Sequence, residues 1–94
     1  MVVLLALVSV IAMAVPGGCY TNSNSRRGNL ICISGTTFSI TNRSGDVIAR
    51  YEIVGESNGV LDLRSPYGAT ATASWWREDG EVLLNFNYET YIHD

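Results

Sequence analysis

Two cysteines, one histidine and nine carboxylates are the residues of this 94-residue chain whose types could carry covalent or acid–base chemistry. Cys32 and His93 would make a nominal nucleophile and base, but His93 is the penultimate residue, where chain ends fray. Glu78, Asp79 and Glu81 cluster at an expected hairpin tip. Acids on one tight turn do not face each other across a cleft, as glycoside hydrolysis requires, and the segment lacks the Asp/Asn ladder of a calcium loop. Neither a phosphate-binding glycine motif nor a zinc-ligand spacing occurs. The residues therefore predict a non-enzyme with no catalytic group, no metal and no cofactor, whose work is binding.

The cysteines bear on export. Val2 to Val15 form 14 almost wholly apolar positions, too few to cross a hydrocarbon core of about 30 Å at about 1.5 Å per residue, and of the length of a signal-peptide core. Two processing sites follow. Ala12-Met13-Ala14 carries the small residues that a signal peptidase takes, and Val15-Pro16-Gly17-Gly18-Cys19 looks like a loose bacterial lipobox. Cleavage after Ala14 leaves Cys19 and Cys32 free to pair in an oxidising compartment, where a disulfide closing so short a loop contributes about 3 kcal/mol. Lipidation would instead make Cys19 the amino terminus and strand Cys32. Since no basic residue precedes Arg26 and Pro16 stands where a lipobox has Leu, a misplaced start or an uncleaved anchor, as in a short viral membrane protein, stays open.

Residues 1–18 are thus assigned to a signal peptide or lipoprotein signal, 19–28 to a polar linker and 29–94 to one small β domain. The linker is rich in turn formers and holds Arg26-Arg27, a candidate dibasic processing site. The net charge of -3, with six arginines and no lysine, offers no basic patch for phosphates. That excludes general nucleic-acid binding and favours a cationic partner. Membrane association is expected only through a lipid anchor or the leading segment.

From Asn29 onward, short runs of β-branched and aromatic residues alternate with turn signals, and no helical period of useful length occurs. The turns are Ser34-Gly35, Arg43 to Asp46, Glu56 to Gly59, Ser65 to Gly68 and Glu78 to Gly80. They delimit about six strands in an all-β antiparallel meander, barrel-like or a two-layer sandwich. Alternation predicts an inward set: Val47, Ala49, Tyr51 and Ile53; Phe38 and Ile40; Leu61 and Leu63; Ala69, Ala71, Ala73 and Trp75; and Val82, Leu84, Phe86 and Tyr88. Thr70, Thr72, Ser74 and Trp76, with Thr37, Ser39 and Thr41, would form a polar face able to take a sugar, though such rows are usually plain solvent faces. Asn42-Arg43-Ser44 is a glycosylation sequon for a eukaryotic secretory route.

Two stretches carry a resemblance. Cys32-Ile33-Ser34-Gly35-Thr36-Thr37-Phe38-Ser39-Ile40 looks like the opening strand of the membrane-bound and periplasmic inhibitors of c-type lysozyme, where Cys and Gly precede a Phe-x-Val run. Trp76-Arg77-Glu78-Asp79-Gly80-Glu81 is similar to their closing Trp-x-Lys-Gly-x-Glu segment, with Trp76 and Glu81 in register, and Ser65-Pro66-Tyr67-Gly68 stands where they carry a Ser-Gly loop. The resemblance spans about Cys32 to Leu84. It implies a small exported β barrel that blocks lysozyme with the serine loop and the lysine segment.

Carried over, Ser65, Tyr67 and Gly68 would form one partner-binding loop, with Trp76, Arg77 and Glu78 forming the other. The chain departs from the pattern at Glu78, which replaces the lysine, at Gly80, which is displaced, and in lacking a cysteine near the carboxyl terminus. An acid facing the enzyme's catalytic carboxylates would repel them, and Arg77 would substitute if the loop shifted by one residue. The expectation is an exported monomer that binds a protein, c-type lysozyme being the candidate. A surface-anchored interaction module and a small carbohydrate- or lipid-binding domain are the alternatives.

Overall fold

Alternating residues along successive strands bury one face only when the sheet finds something to cover it, and here the sheet covers itself. The computed structural model describes residues 14–24 and 28–94 as eight antiparallel strands closed into a barrel. They are β1 (Gly18–Asn22), β2 (Leu30–Ser34), β3 (Thr37–Thr41), β4 (Val47–Ser57), β5 (Val60–Arg64), β6 (Thr70–Glu78), β7 (Glu81–Phe86) and β8 (Glu89–His93). Each strand pairs with its sequence neighbour, and β1 closes on β8 through Tyr20↔His93, Thr21↔Ile92 and Asn22↔Tyr91. Eight strands enclose a space that side chains alone can fill, and closure leaves no sheet edge among the described residues to pair with another chain. Most of the apolar leader, residues 1–13, lies outside the described residues, as does Arg26-Arg27. Among the described residues no helix is long and apolar enough to cross a membrane.

The barrel architecture decides between the two expected forms, and it has eight strands where turn signals predicted about six. The added strands are β1 and β8. Gly18–Asn22, expected as the end of the leader and the start of a linker, is a barrel strand because Tyr20 and Asn22 point inward and are buried. Cys19 stands directly opposite Cys32 in the register, and the two form a disulfide that ties β1 to β2. Tyr88, expected inside, lies in the Asn87-Tyr88 turn that separates β7 from β8.

Inward residues Tyr20, Ile31, Phe38, Ile53, Leu61, Leu63 and Leu84 are wholly buried, and the rings of Phe38, Tyr51 and Phe86 meet edge-on or tilted in the interior. Ala71 and Ala73 leave room for these larger neighbours, as the sequence suggested. Ala69, placed inside by the alternation, is exposed in the loop before β6.

β4 carries two irregularities. Ile40 pairs with Ala49 but Thr41 pairs with Val47, so Ile48 is an extra residue; Ile53 pairs with Leu63 but Gly55 with Asp62, so Val54 is another. Each bulge reverses the inside–outside parity of what lies beyond it. The first puts Val47 outside, correcting its assignment to the core. The second turns Glu56 inward, opposite buried Leu61.

Candidate functional site

The up-and-down course of the strands sorts the connections into two ends. One end bears the loops after β1, β3, β5 and β7. The other bears the tight turns Gly35-Thr36, Asn58-Gly59 and Asp79-Gly80, together with the segment leading into β1. Ser65, Tyr67 and Gly68 lie at the first end; Trp76, Arg77 and Glu78 lie at the second. The intervening length of β6, at about 3.3 Å per residue, separates Ser65 from the second group by roughly 20–25 Å. The two sequence-predicted binding segments therefore lie at opposite ends of the barrel.

Ser65 organises the loop it belongs to. Its Oγ accepts hydrogen bonds from the backbone N–H of Tyr67 (3.2 Å) and Ala69 (3.0 Å). Its own N–H donates to Ala69 O (2.8 Å), and its carbonyl accepts from Gly68 N–H (3.0 Å). Gly68, at φ 87°, supplies the left-handed residue that this tight turn needs. With the backbone so fixed, the Tyr67 side chain stands 96% exposed. A groove of about 250 Å³ runs between Tyr67, Pro66 and Ile48, and a second of about 300 Å³ lies across Ser65 and Pro66 among Arg50, Glu52, Arg64 and Thr37. Val47 and Ile48, 48% and 54% exposed, give this end an apolar shoulder. Sequence reasoning found the loop but missed the shoulder, since strict alternation gives no sign of the Ile48 bulge.

Tyr88 is the other residue missed at this end. It is 98% exposed, at φ 66° after Asn87 at 55°, in a two-residue turn where both positions are left-handed. Hairpins of this kind normally use Asn-Gly, and a bulky side chain there costs energy. No glycine marked the turn, so it left no signal in the sequence.

At the opposite end the polar groups satisfy one another. Trp76 Nε1–H donates to Glu78 Oε1 (3.0 Å) on the outside of β6, while Arg77 lies with its guanidinium carbon 5.7 Å from the Trp75 ring centroid. Trp75 Nε1–H donates to Glu56 Oε2 (2.9 Å). Tyr20 OH donates to Pro16 O and its ring packs 4.6 Å from that of His93, whose Nε2–H donates to Gly17 O (2.8 Å). Burial pushes the Tyr20 hydroxyl up to about 12; Arg77 opposes that rise and Glu56 adds to it. Cys19 and Cys32, the residues proposed for lipidation or a disulfide, are joined here on the outer face of β1 and β2.

The hydroxyl rows expected to form one polar face are divided. Those of β6 are separated from those of β3 by the whole of β4 and β5. Among the described residues no group of three or more His, Cys, Asp or Glu side chains is arranged to hold a metal ion. No family model, no curated protein and no solved structure matches this chain.

Proposed function

We propose that this is an exported, non-enzymatic binding barrel whose partner is a protein engaged by the Ser65–Gly68 end. One observation carries the reading. A turn held by four hydrogen bonds presents a nearly fully exposed tyrosine beside apolar-walled grooves. Rigid aromatic side chains on pre-organised loops supply contact area at little entropic cost and are enriched among the residues that dominate interfaces. The disulfide supports an oxidising compartment, periplasmic or extracellular.

c-type lysozyme is the first partner to test, on the strength of the serine loop and the acidic net charge. The distance between the two segments changes how such inhibition would work. Arg77 sits against Trp75 at the far end, whereas Arg50 and Arg64 line the groove beside Ser65. In this reading those two arginines take the place of the missing lysine in meeting carboxylates of the enzyme. Inhibition of cell-wall lysis by the purified protein, abolished by Tyr67→Ala or Arg64→Ala and unaffected by Arg77→Ala, is the expected result. No inhibition by the folded protein would remove lysozyme as the partner. Partner capture with Tyr67→Ala as the control would then test the binding surface itself.

A further inference from the structure

The chain just before β1 is built into the barrel. Val15 is 5% exposed and belongs to the core, and the carbonyls of Pro16 and Gly17 accept from Tyr20 and His93. Glu56, turned inward by the Val54 bulge, reaches this segment from β4. Its Oε1 accepts from the backbone N–H of Ala14 (3.1 Å) and of Val15 (3.4 Å), while Trp75 holds Oε2. Among the described residues every hydrogen bond to this carboxylate thus comes from a neutral N–H. A carboxylate that a bulge turns inward onto the main-chain nitrogens of Ala14 and Val15, with only neutral donors around it, suits a nitrogen at this point of the chain that carries charge. The residues ahead of it, Ala12-Met13-Ala14, place small side chains at the first and third positions before the Ala14–Val15 bond.

We propose that a signal peptidase hydrolyses the Ala14–Val15 bond and that the α-ammonium of Val15 then docks on the Glu56 carboxylate, pegging the mature amino terminus into the barrel end. Water adds across the peptide bond: Ala14 leaves with the leader as a carboxylate, and Val15 keeps the nitrogen as an amine that takes up a proton. The hydrogen bond from Ala14 N–H is lost, and the ammonium offers three charged donors in its stead. Because Val15 is buried in the folded barrel, cleavage precedes closure of this end. Cutting before Cys19 instead would remove Val15 and both carbonyl acceptors, and would need a thiol that is bonded to Cys32. This inference rests on the export reading and is independent of the partner.

The chain has no lysine, so the α-amine of the mature protein is its only amine. The full chain, expressed with its own leader in bacterial and in eukaryotic secretory cells, should yield a folded product whose intact mass and end sequence begin at Val15. Acylation of that product by a small N-hydroxysuccinimide ester should run about tenfold slower or more in the native state than in urea. Glu56→Gln should restore fast acylation, and Glu56→Asp should restore it in part. An uncut chain in both hosts, a lipidated Cys19 terminus, or a start elsewhere overturns the cleavage site. A Val15 terminus that reacts as fast folded as unfolded, or stays protected in Glu56→Gln, overturns the role of Glu56.

Discussion

The two ends of the barrel are shaped by the same device with opposite results. At one end, the Ile48 bulge in β4 turns Val47 and Ile48 out into water beside Tyr67; at the other, the Val54 bulge turns Glu56 in. Around Glu56 each polar side chain has a partner within the barrel: Tyr20 with Pro16, His93 with Gly17, Trp75 with Glu56. Around Ser65 the backbone is equally well bonded, but the apolar and aromatic side chains it displays are uncovered. Hydrogen bonds at the Glu56 end hold the barrel shut. Those at the Ser65 end hold a surface open, and an exposed apolar cluster on a rigid support is where a partner gains most from docking.

The comparison breaks if stability does not reside where the packing places it. Tyr20→Ala, which empties a wholly buried site at the closed end, should cost about 3–5 kcal/mol and leave little folded protein, measured by urea unfolding. The same residue sets an alkaline limit. Its hydroxyl titrates near 10 in the unfolded chain and at about 12 in the barrel, so the folded state favours the protonated form. Its contribution is whole below pH 10 and is lost as pH rises through 12. Tyr20→Phe should flatten the stability profile in that window; an unchanged profile would show that the hydroxyl is hydrated in the barrel.

Next in size is the disulfide. It closes a loop of 13 residues' separation, and replacing both cysteines by serine should cost about 3 kcal/mol. The loss should appear as a lower melting temperature that the reduced wild type shares. A variant pair as stable as the oxidised protein would mean that the β1–β2 and β1–β8 ladders hold β1 in the barrel without it.

The regions that the sequence made legible are those where local pattern and tertiary contact agree. Phe38 and Ile40, Leu61 and Leu63, and Val82, Leu84 and Phe86 alternate cleanly and lie inside as their spacing implies. Ser65 to Gly68 was legible as a turn because Ser, Pro and Gly each have a conformational reason to be there. β1 was hidden because only Tyr20 and Asn22 face inward, and a strand of polar outward residues reads as a linker. Val47 and Glu56 were misplaced or overlooked because a bulge inverts every inference drawn from period two, and nothing at Ile48 or Val54 announces one. β8 was merged with β7 because the turn between them contains no glycine.

Tyr67→Ala sharpens the comparison from the open end. The side chain touches little of its own barrel, so the melting temperature should stay within the effect of an ordinary surface change of about 0.5 kcal/mol. Affinity for the partner should fall by about 2 kcal/mol, near thirtyfold, as for an aromatic anchor at the centre of an interface. Equal losses in stability and binding would make Tyr67 a structural residue and remove the distinction between the ends.

The smallest effect is the most diagnostic. Tyr88 occupies a left-handed position that glycine takes without steric cost, so Tyr88→Gly should stabilise the barrel by up to about 1 kcal/mol. A substitution that improves stability at so exposed a position raises the question of what the tyrosine is kept for. Tyr88 is at the same end as Tyr67, and a surface of two exposed tyrosines on tight turns would lose affinity when either is removed. Measured together, a higher melting temperature with weaker binding extends the interface across the barrel mouth to the β7–β8 turn. A higher melting temperature with unchanged binding confines it to Ser65–Gly68 and the Ile48 shoulder.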